Sequence, residues 1–337
     1  MAIVSLQAPW PMRRAPERRA RAQRARVLGR ALFCAGLATV IASAASAQPC
    51  PTRDACDDQL PAAAETARGL ALGTGLRASA ISTSALAYTP AALALGNLYH
   101  IEANVDYMSA LNTVALGGAA VDSSTSKLGA GISLRGFLSG DDGYSNDSGY
   151  DYDGIDGRVG LAVALSDAFS VGLSGRYINI STENDPAELE EGEDEDRDLV
   201  DGFTMDASIR IMPFEGLQLD IGAMNFIDRN SVLTPVTFAG SLAFSVTEAL
   251  SFGADLLMDV SSYPDPQLTI GGGAEYLGGN AVPVRLGYAY DIARELHVLG
   301  LGVGYTDTKV GVDVGVRQEL NGGGSTRVMA AVRYHVN

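Results

Sequence analysis

The chain has 337 residues, a formal charge of −16, 47% apolar residues and 39 glycines. Such acidity excludes nucleic acid as a partner, because phosphate binding needs clustered cations. The apolar share excludes a wholly disordered chain, and length alone does not fix the number of domains, since large β-barrels exceed the usual domain size.

Residues 1–47 read as a secretory signal peptide. Eight arginines, from Arg13 to Arg30, stand against one acid, Glu17; an apolar stretch over 31–45 follows, and Ala45-Ser46-Ala47 precedes Gln48. This is the basic, apolar and small-residue order of a cleaved leader, and the apolar stretch is short for a spanning helix. Removing it leaves 16 Lys and Arg against 39 acids, a charge of −23. In an oxidising compartment Cys50 and Cys56, in Cys-Pro-Thr-Arg-Asp-Ala-Cys, are candidates for a local disulfide. A metal site needs more ligands than this segment offers, so neither metal nor cofactor is expected.

Residues 48–97 are rich in Ala and not strand-like. Stretches 62–72 and 84–94 can each form a short helix, broken by Gly73, Gly75 and Pro90. A segment of about 50 residues ahead of a barrel can fill its lumen as a plug.

From residue 98 onward the pattern changes to strict alternation. Tyr99, Ile101, Ala103, Val105 and Tyr107 form an apolar face, while His100, Glu102, Asn104 and Asp106 form a polar one. Period two means a strand with one apolar side. The same pattern predicts strands at 98–108, 111–121, 126–138, 157–166, 169–180, 202–212, 216–225, 233–245, 249–259, 267–277, 281–290, 296–305, 309–318 and 326–336. Fourteen is an even number, and most lengths are near the ~9–11 residues of a tilted strand crossing a bilayer.

Connections sort by parity. Short turns fall at 122–125, 167–168, 213–215, 247–248 and 278–280, while the two long loops, 139–156 and 181–201, fall at the opposite end. Short turns at one end and long loops at the other are the asymmetry of bacterial outer-membrane barrels. The second loop carries eleven acids against Arg197 alone. Solvated charge explains such a run, and divalent-cation binding at the cell surface is the alternative. A soluble β-sandwich would also alternate, yet the polar faces carry Gly and charge where a sandwich surface needs no partner. Closure around a polar lumen accounts for both faces. The fold class is therefore all-β: a 14-stranded antiparallel transmembrane barrel over 98–337, with an N-terminal plug containing helical turns.

Running the strand directions forward places Arg135, Arg158, Arg176 and Arg317 toward the outer mouth, with Glu102, Asp106, Asp206, Asp220, Asp255 and Asp313 nearer mid-depth. In one reading these charges pair and tie the wall to the plug, since buried charges persist only when partnered. In the other, the rim arginines capture a carboxylate head through their bidentate fork. Enzyme signatures are absent. Gly73-x-Gly75-x-x-Ala78 lacks the preceding strand of a dinucleotide fingerprint, and Gly172-Leu173-Ser174-Gly175 misses a nucleophile elbow by one place. A barrel hydrolase pairing Ser with one of the distant histidines is left as an alternative.

One segment carries a family resemblance. Gly69-Leu70-Ala71-Leu72-Gly73, then 82–88, then Thr89-Pro90-Ala91-Ala92-Leu93-Ala94 running into the first strand, resembles the opening of FadL-like outer-membrane transport proteins and their PorV-like relatives. The resemblance covers 69–108 at motif level and the remainder as a pattern of strands; Thr89 stands where the family usually has Asn. It implies an outer-membrane barrel of a Gram-negative bacterium, passive uptake of hydrophobic molecules such as long-chain fatty acids, a plug motif at Thr89, Pro90 and Ala91, and no enzymatic activity. It also implies a sideways exit at a strand break, for which Gly129, Gly131 and Gly136 make the third strand a candidate, although the same glycines would let a plug pack close. The partners implied are outer-membrane lipid, a hydrophobic small molecule and the outer-membrane assembly machinery. The PorV-like alternative is an accessory barrel with an exported protein as partner.

Overall fold

The computed structural model describes residues 65–336 apart from 97–98, 110–112, 125–126, 140–151, 183–196, 232, 280 and 322–324. The signal-peptide reading, the Cys50–Cys56 pair and most of both acidic loops fall outside the described residues.

Among the described residues fourteen antiparallel strands close into one barrel, each paired with its sequence neighbours and β1 with β14. They are β1 (Tyr99–Met108), β2 (Thr113–Asp122), β3 (Leu128–Ser139), β4 (Tyr152–Ser166), β5 (Phe169–Thr182), β6 (Arg197–Phe214), β7 (Leu217–Met224), β8 (Thr237–Ser245), β9 (Leu250–Asp259), β10 (Gln267–Gly278), β11 (Val282–Asp291), β12 (Leu296–Thr306), β13 (Val310–Glu319) and β14 (Thr326–His335). The period-two reading located every strand. It placed the starts of β4 and β6 five residues late, because Tyr152, Asp153, Arg197 and Asp198 extend the sheet into polar sequence with no apolar alternation. It started β8 four residues early, because Leu233 is apolar but belongs to a loop.

The alternation has a plain physical use. Ile101, Val105, Leu161, Leu173, Leu242, Leu286 and Val314 all point outward and are exposed. An apolar exterior of this kind suits lipid, not water. At the short-turn end the exposed Tyr99, Phe214, Phe244, Phe252, Tyr276, Tyr305 and Tyr334 form an aromatic girdle built without tryptophan. Tyr107, Tyr177, Phe203 and Tyr288 lie outward nearer the other end.

Inside the barrel, residues 65–95 form a plug. Thr66 caps helix α1 (Ala67–Ala71), its hydroxyl accepting from the Gly69 N–H at 3.1 Å. A 3₁₀ turn (Arg77–Ser79), helix α2 (Ser82–Tyr88) and a second 3₁₀ helix (Pro90–Leu95) follow. Both helices are shorter than the predicted 62–72 and 84–94, since Gly73 turns with φ +64° and Pro90 opens the last element at its first turn.

The glycines of the wall explain how so bulky a plug fits. A Cβ on Gly315, Gly300 or Gly287 would run into the plug backbone at Ala67, at Leu70 and Ala71, and at Leu72 and Gly73 respectively. On the opposite wall Gly172 faces Pro90 and Ala91, and Gly129 faces the Leu93 carbonyl. The plug's main chain lies directly on the sheet wherever the wall has no side chain. Strand β3 pairs with both β2 and β4 without a register shift, so Gly129 serves plug packing and β3 has no break.

Candidate functional site

Above the plug, toward the long-loop end, lies a vestibule of ≈ 260 Å³. Leu257 of β9, Ala289 of β11 and Leu296 and Val298 of β12 give it an apolar wall, with Leu76 of the plug, Met224 and Leu233 completing that side. Ten charged residues, among them Arg158, Arg176, Asp206, Arg294, Arg317 and Arg327, share the lining. A smaller polar cleft of ≈ 50 Å³ adjoins it between the plug and β1–β4, lined by Asn104, Ser133, Arg135 and Asp156.

The sequence-derived arginines occupy this site, and each is paired. Arg135 donates to Asp106, which also receives Arg327 at 2.6 Å. Arg158 donates to Asp206 at 2.9 Å, and Arg176 grips both oxygens of Asp156 at 3.0 and 2.8 Å. Arg317 donates to Glu65 of the plug at 2.5 Å. Three of these side chains are nearly sealed, at 8%, 7% and 2% exposure, whereas Arg317 keeps 25%. Each guanidinium already meets a carboxylate, Arg176 through both arms of its fork, and burial makes the first three poor receptors for a further anion.

Further pairs tie plug to wall. Arg68 holds Glu275 through Nε and Nη2 at 2.9 and 3.1 Å, and Glu275 also takes Arg285 at 2.5 Å. Arg210, 1% exposed, donates to the plug carbonyls of Ala80 at 2.8 Å and Arg77 at 2.5 Å. It also reaches Asp220 at 3.3 Å, but its two plug partners are main-chain oxygens about 130 residues upstream, and it had no place among the arginines picked from sequence. The motif Thr89-Pro90-Ala91 sits at the same anchor: the Thr89 hydroxyl donates to Asp220 and lies 3.1 Å from the Ser208 hydroxyl, which accepts from the Ala91 N–H at 2.8 Å.

Of the histidines, His100 meets Ser82, with Oγ and Nδ1 2.6 Å apart, and stacks on His335 at 4.2 Å between ring centres. The contact fastens the start of α2 to the β1–β14 seam. Tyr88, at the vestibule floor, accepts from the Thr66 N–H at 3.2 Å, and burial pushes its phenol up to about 12.

No protein-family profile and no curated protein matches the sequence. Solved structures do resemble the fold. The Ralstonia pickettii toluene transporter TbuX superposes with a TM-score of 0.57 at 13% identity, covering 81% of this chain and 98% of that one. The Pseudomonas putida toluene transporter TodX gives 0.57 at 14% identity, with coverage of 82% and 98%. A Pseudomonas aeruginosa FadL homologue gives 0.55 at 12%, with coverage of 80% and 97%. At these identities the likeness is one of architecture: the chain has the plugged 14-stranded barrel fold of FadL-type transporters.

Proposed function

We propose that the protein is an outer-membrane channel for passive uptake of small hydrophobic molecules. The observation that carries this reading is the vestibule: an apolar wall over the plug, inside a barrel with an apolar exterior. Pockets for small ligands are mostly apolar with placed polar groups; this one has the apolar wall, faced by a charged one.

Size and charge narrow the class. A dry apolar cavity of about 150 Å³ suffices for benzene, so ≈ 260 Å³ suits one compact ring compound. The structural neighbours named for toluene transport point the same way. Long-chain fatty acids, the class implied by the sequence resemblance, are the second reading. Arg317 favours it, because it keeps 25% exposure on the vestibule side, where Arg294 at 21% also lines the cavity. Outer-membrane lipid and the assembly machinery are the partners such a barrel requires.

The test is flux into vesicles reconstituted with the purified barrel, using radiolabelled toluene and oleate side by side. Toluene entering faster than into protein-free vesicles supports the reading, and oleate entering faster than toluene moves the substrate to fatty acids. Neither entering, with an exported protein co-purifying in detergent, supports the accessory-barrel alternative.

A further inference from the structure

Strand β7 ends at Met224, whereas its neighbour β6 continues toward the outer mouth as far as Arg197. The ladder between them begins only at Ala207–Ala223, so 197–206 has a strand partner on the β5 side alone. The open flank is covered by the described residues of the loop 225–236, held by three separate bonds. The Phe226 N–H donates to the Met205 carbonyl at 3.0 Å, Arg229 to the Asp201 carbonyl at 2.5 Å, and the Ser231 hydroxyl to the Leu199 carbonyl at 2.9 Å.

The loop's two ends are pinned together. Asn225, at φ +50°, donates from Nδ2 to the Pro235 carbonyl at 3.1 Å. Its N–H donates to Asp206 at 2.7 Å and its Oδ1 accepts from Arg176 at 3.2 Å. Val236 is tied to Ser261 at 2.8 Å. A loop whose ends are pinned at a closed neck can swing about that neck as a unit. Few main-chain bonds hold it, which marks the low-stability end of a fold.

What the body packs is apolar and faces the lumen. Leu233, 3% exposed, sits in a cluster with Met108, Phe137, Ile178, Ile180 and Val200, and the same residue lines the vestibule. The seat of Leu233 is therefore a leucine-sized hydrophobic receptor at the outer rim of the cavity.

We propose that the loop 225–236 is a hinged gate over the vestibule, with Leu233 as its latch: an apolar solute of leucine-like bulk, such as a compact hydrocarbon, takes the Leu233 seat as the loop swings away. The proposal rests on the uptake reading for its solute, and the gate itself is testable without that solute.

The reporter is Leu257→Cys on the apolar wall, in a full-length chain whose Cys34, Cys50 and Cys56 are Ser, labelled in outer membranes with a membrane-impermeant maleimide. Leu233→Ala is expected to speed labelling about tenfold or more, because truncating a buried Leu shifts an equilibrium by at least that factor; Leu233→Met should stay near the parent rate. Arg229→Ala, an exposed change that leaves the apolar cluster intact, should speed it about twofold to tenfold by deleting one bond of the closed state. Rates unmoved by both variants, with the barrels still folded by their heat-dependent gel shift, overturn the gate. Toluene flux in the parent with labelling unmoved overturns the gate and leaves uptake standing. Labelling that responds while the parent conducts neither toluene nor oleate supports the gate and overturns the uptake reading.

Discussion

Arg158 on β4 donates to the carboxylate of Asp206 on β6 at 2.9 Å, reaching past the intervening β5. Asp206 also accepts from the Ser174 hydroxyl at 3.2 Å and from the Asn225 N–H at 2.7 Å. One carboxylate thus joins three strands and the neck of the 225–236 loop. Removing Arg158 leaves that charge buried and short of its cation, which costs about 3–5 kcal/mol in comparable sites. Arg158→Ala should therefore lower the urea midpoint of the barrel in lipid vesicles by a corresponding amount, and the double variant Arg158→Met with Asp206→Leu should recover most of the loss. Equal loss in single and double variants would show that the pair is not what holds this part of the wall.

The wall glycines give a second expectation. A methyl at Gly287 meets the main chain of Leu72 and Gly73, which cannot turn aside as a side chain can. Gly240, on the lipid face of β8, has no atom within 4 Å of the same position. Gly287→Ala should cost about 1–3 kcal/mol as an overpacked site, and should expose the plug at 65–75 to added protease. Gly240→Ala should stay within about 0.5 kcal/mol of the parent. Similar protease patterns for both variants would separate the plug from the glycine track.

These two contacts also mark where the sequence stops being readable. The strands were legible because lipid imposes a strict apolar face and the lumen a strict polar one, so each ten-residue segment carries its own signal. Arg158 was legible as a lumen residue for that reason. Its partner was not, because pairing across the barrel depends on the stagger of β4, β5 and β6, which no local pattern encodes. Gly287 carried no local signal; its reason lies with Leu72, 215 positions upstream. The tucked Leu233 drew the predicted start of β8 four residues early, since an apolar loop residue seated in the lumen looks like one more strand position.

Tyr88 supplies a pH expectation. Its ordinary value is 10.0, and burial together with the nearby Glu65 carboxylate raises it to about 12 in the folded plug. The folded state therefore holds the phenolic proton more tightly than the unfolded chain does. That contribution is complete below pH 10 and is lost as pH climbs toward 12. Plug protection against protease should be flat to pH 10 and fall above it. In Tyr88→Phe the part of the fall due to this phenol should vanish, at a constant cost of about 1 kcal/mol for the lost bond from the Thr66 N–H. An unchanged alkaline profile in Tyr88→Phe would assign the loss to other groups.

Two positions on β11 separate the vestibule from the barrel that encloses it. Ala289 faces inward at 4% exposure and forms part of the apolar wall, while Val284 faces outward at 51%. Tryptophan presents about 150–250 Å² of surface when buried, so Ala289→Trp would occupy much of a ≈ 260 Å³ space. Val284→Trp adds the same ring to the lipid side, where an apolar residue is already tolerated. If solutes pass through the vestibule, Ala289→Trp should cut toluene flux several-fold with a normal heat-dependent gel shift, and Val284→Trp should leave flux unchanged. Equal flux in both would place the path elsewhere, because no route through a chamber of this size could ignore a ring set into its wall.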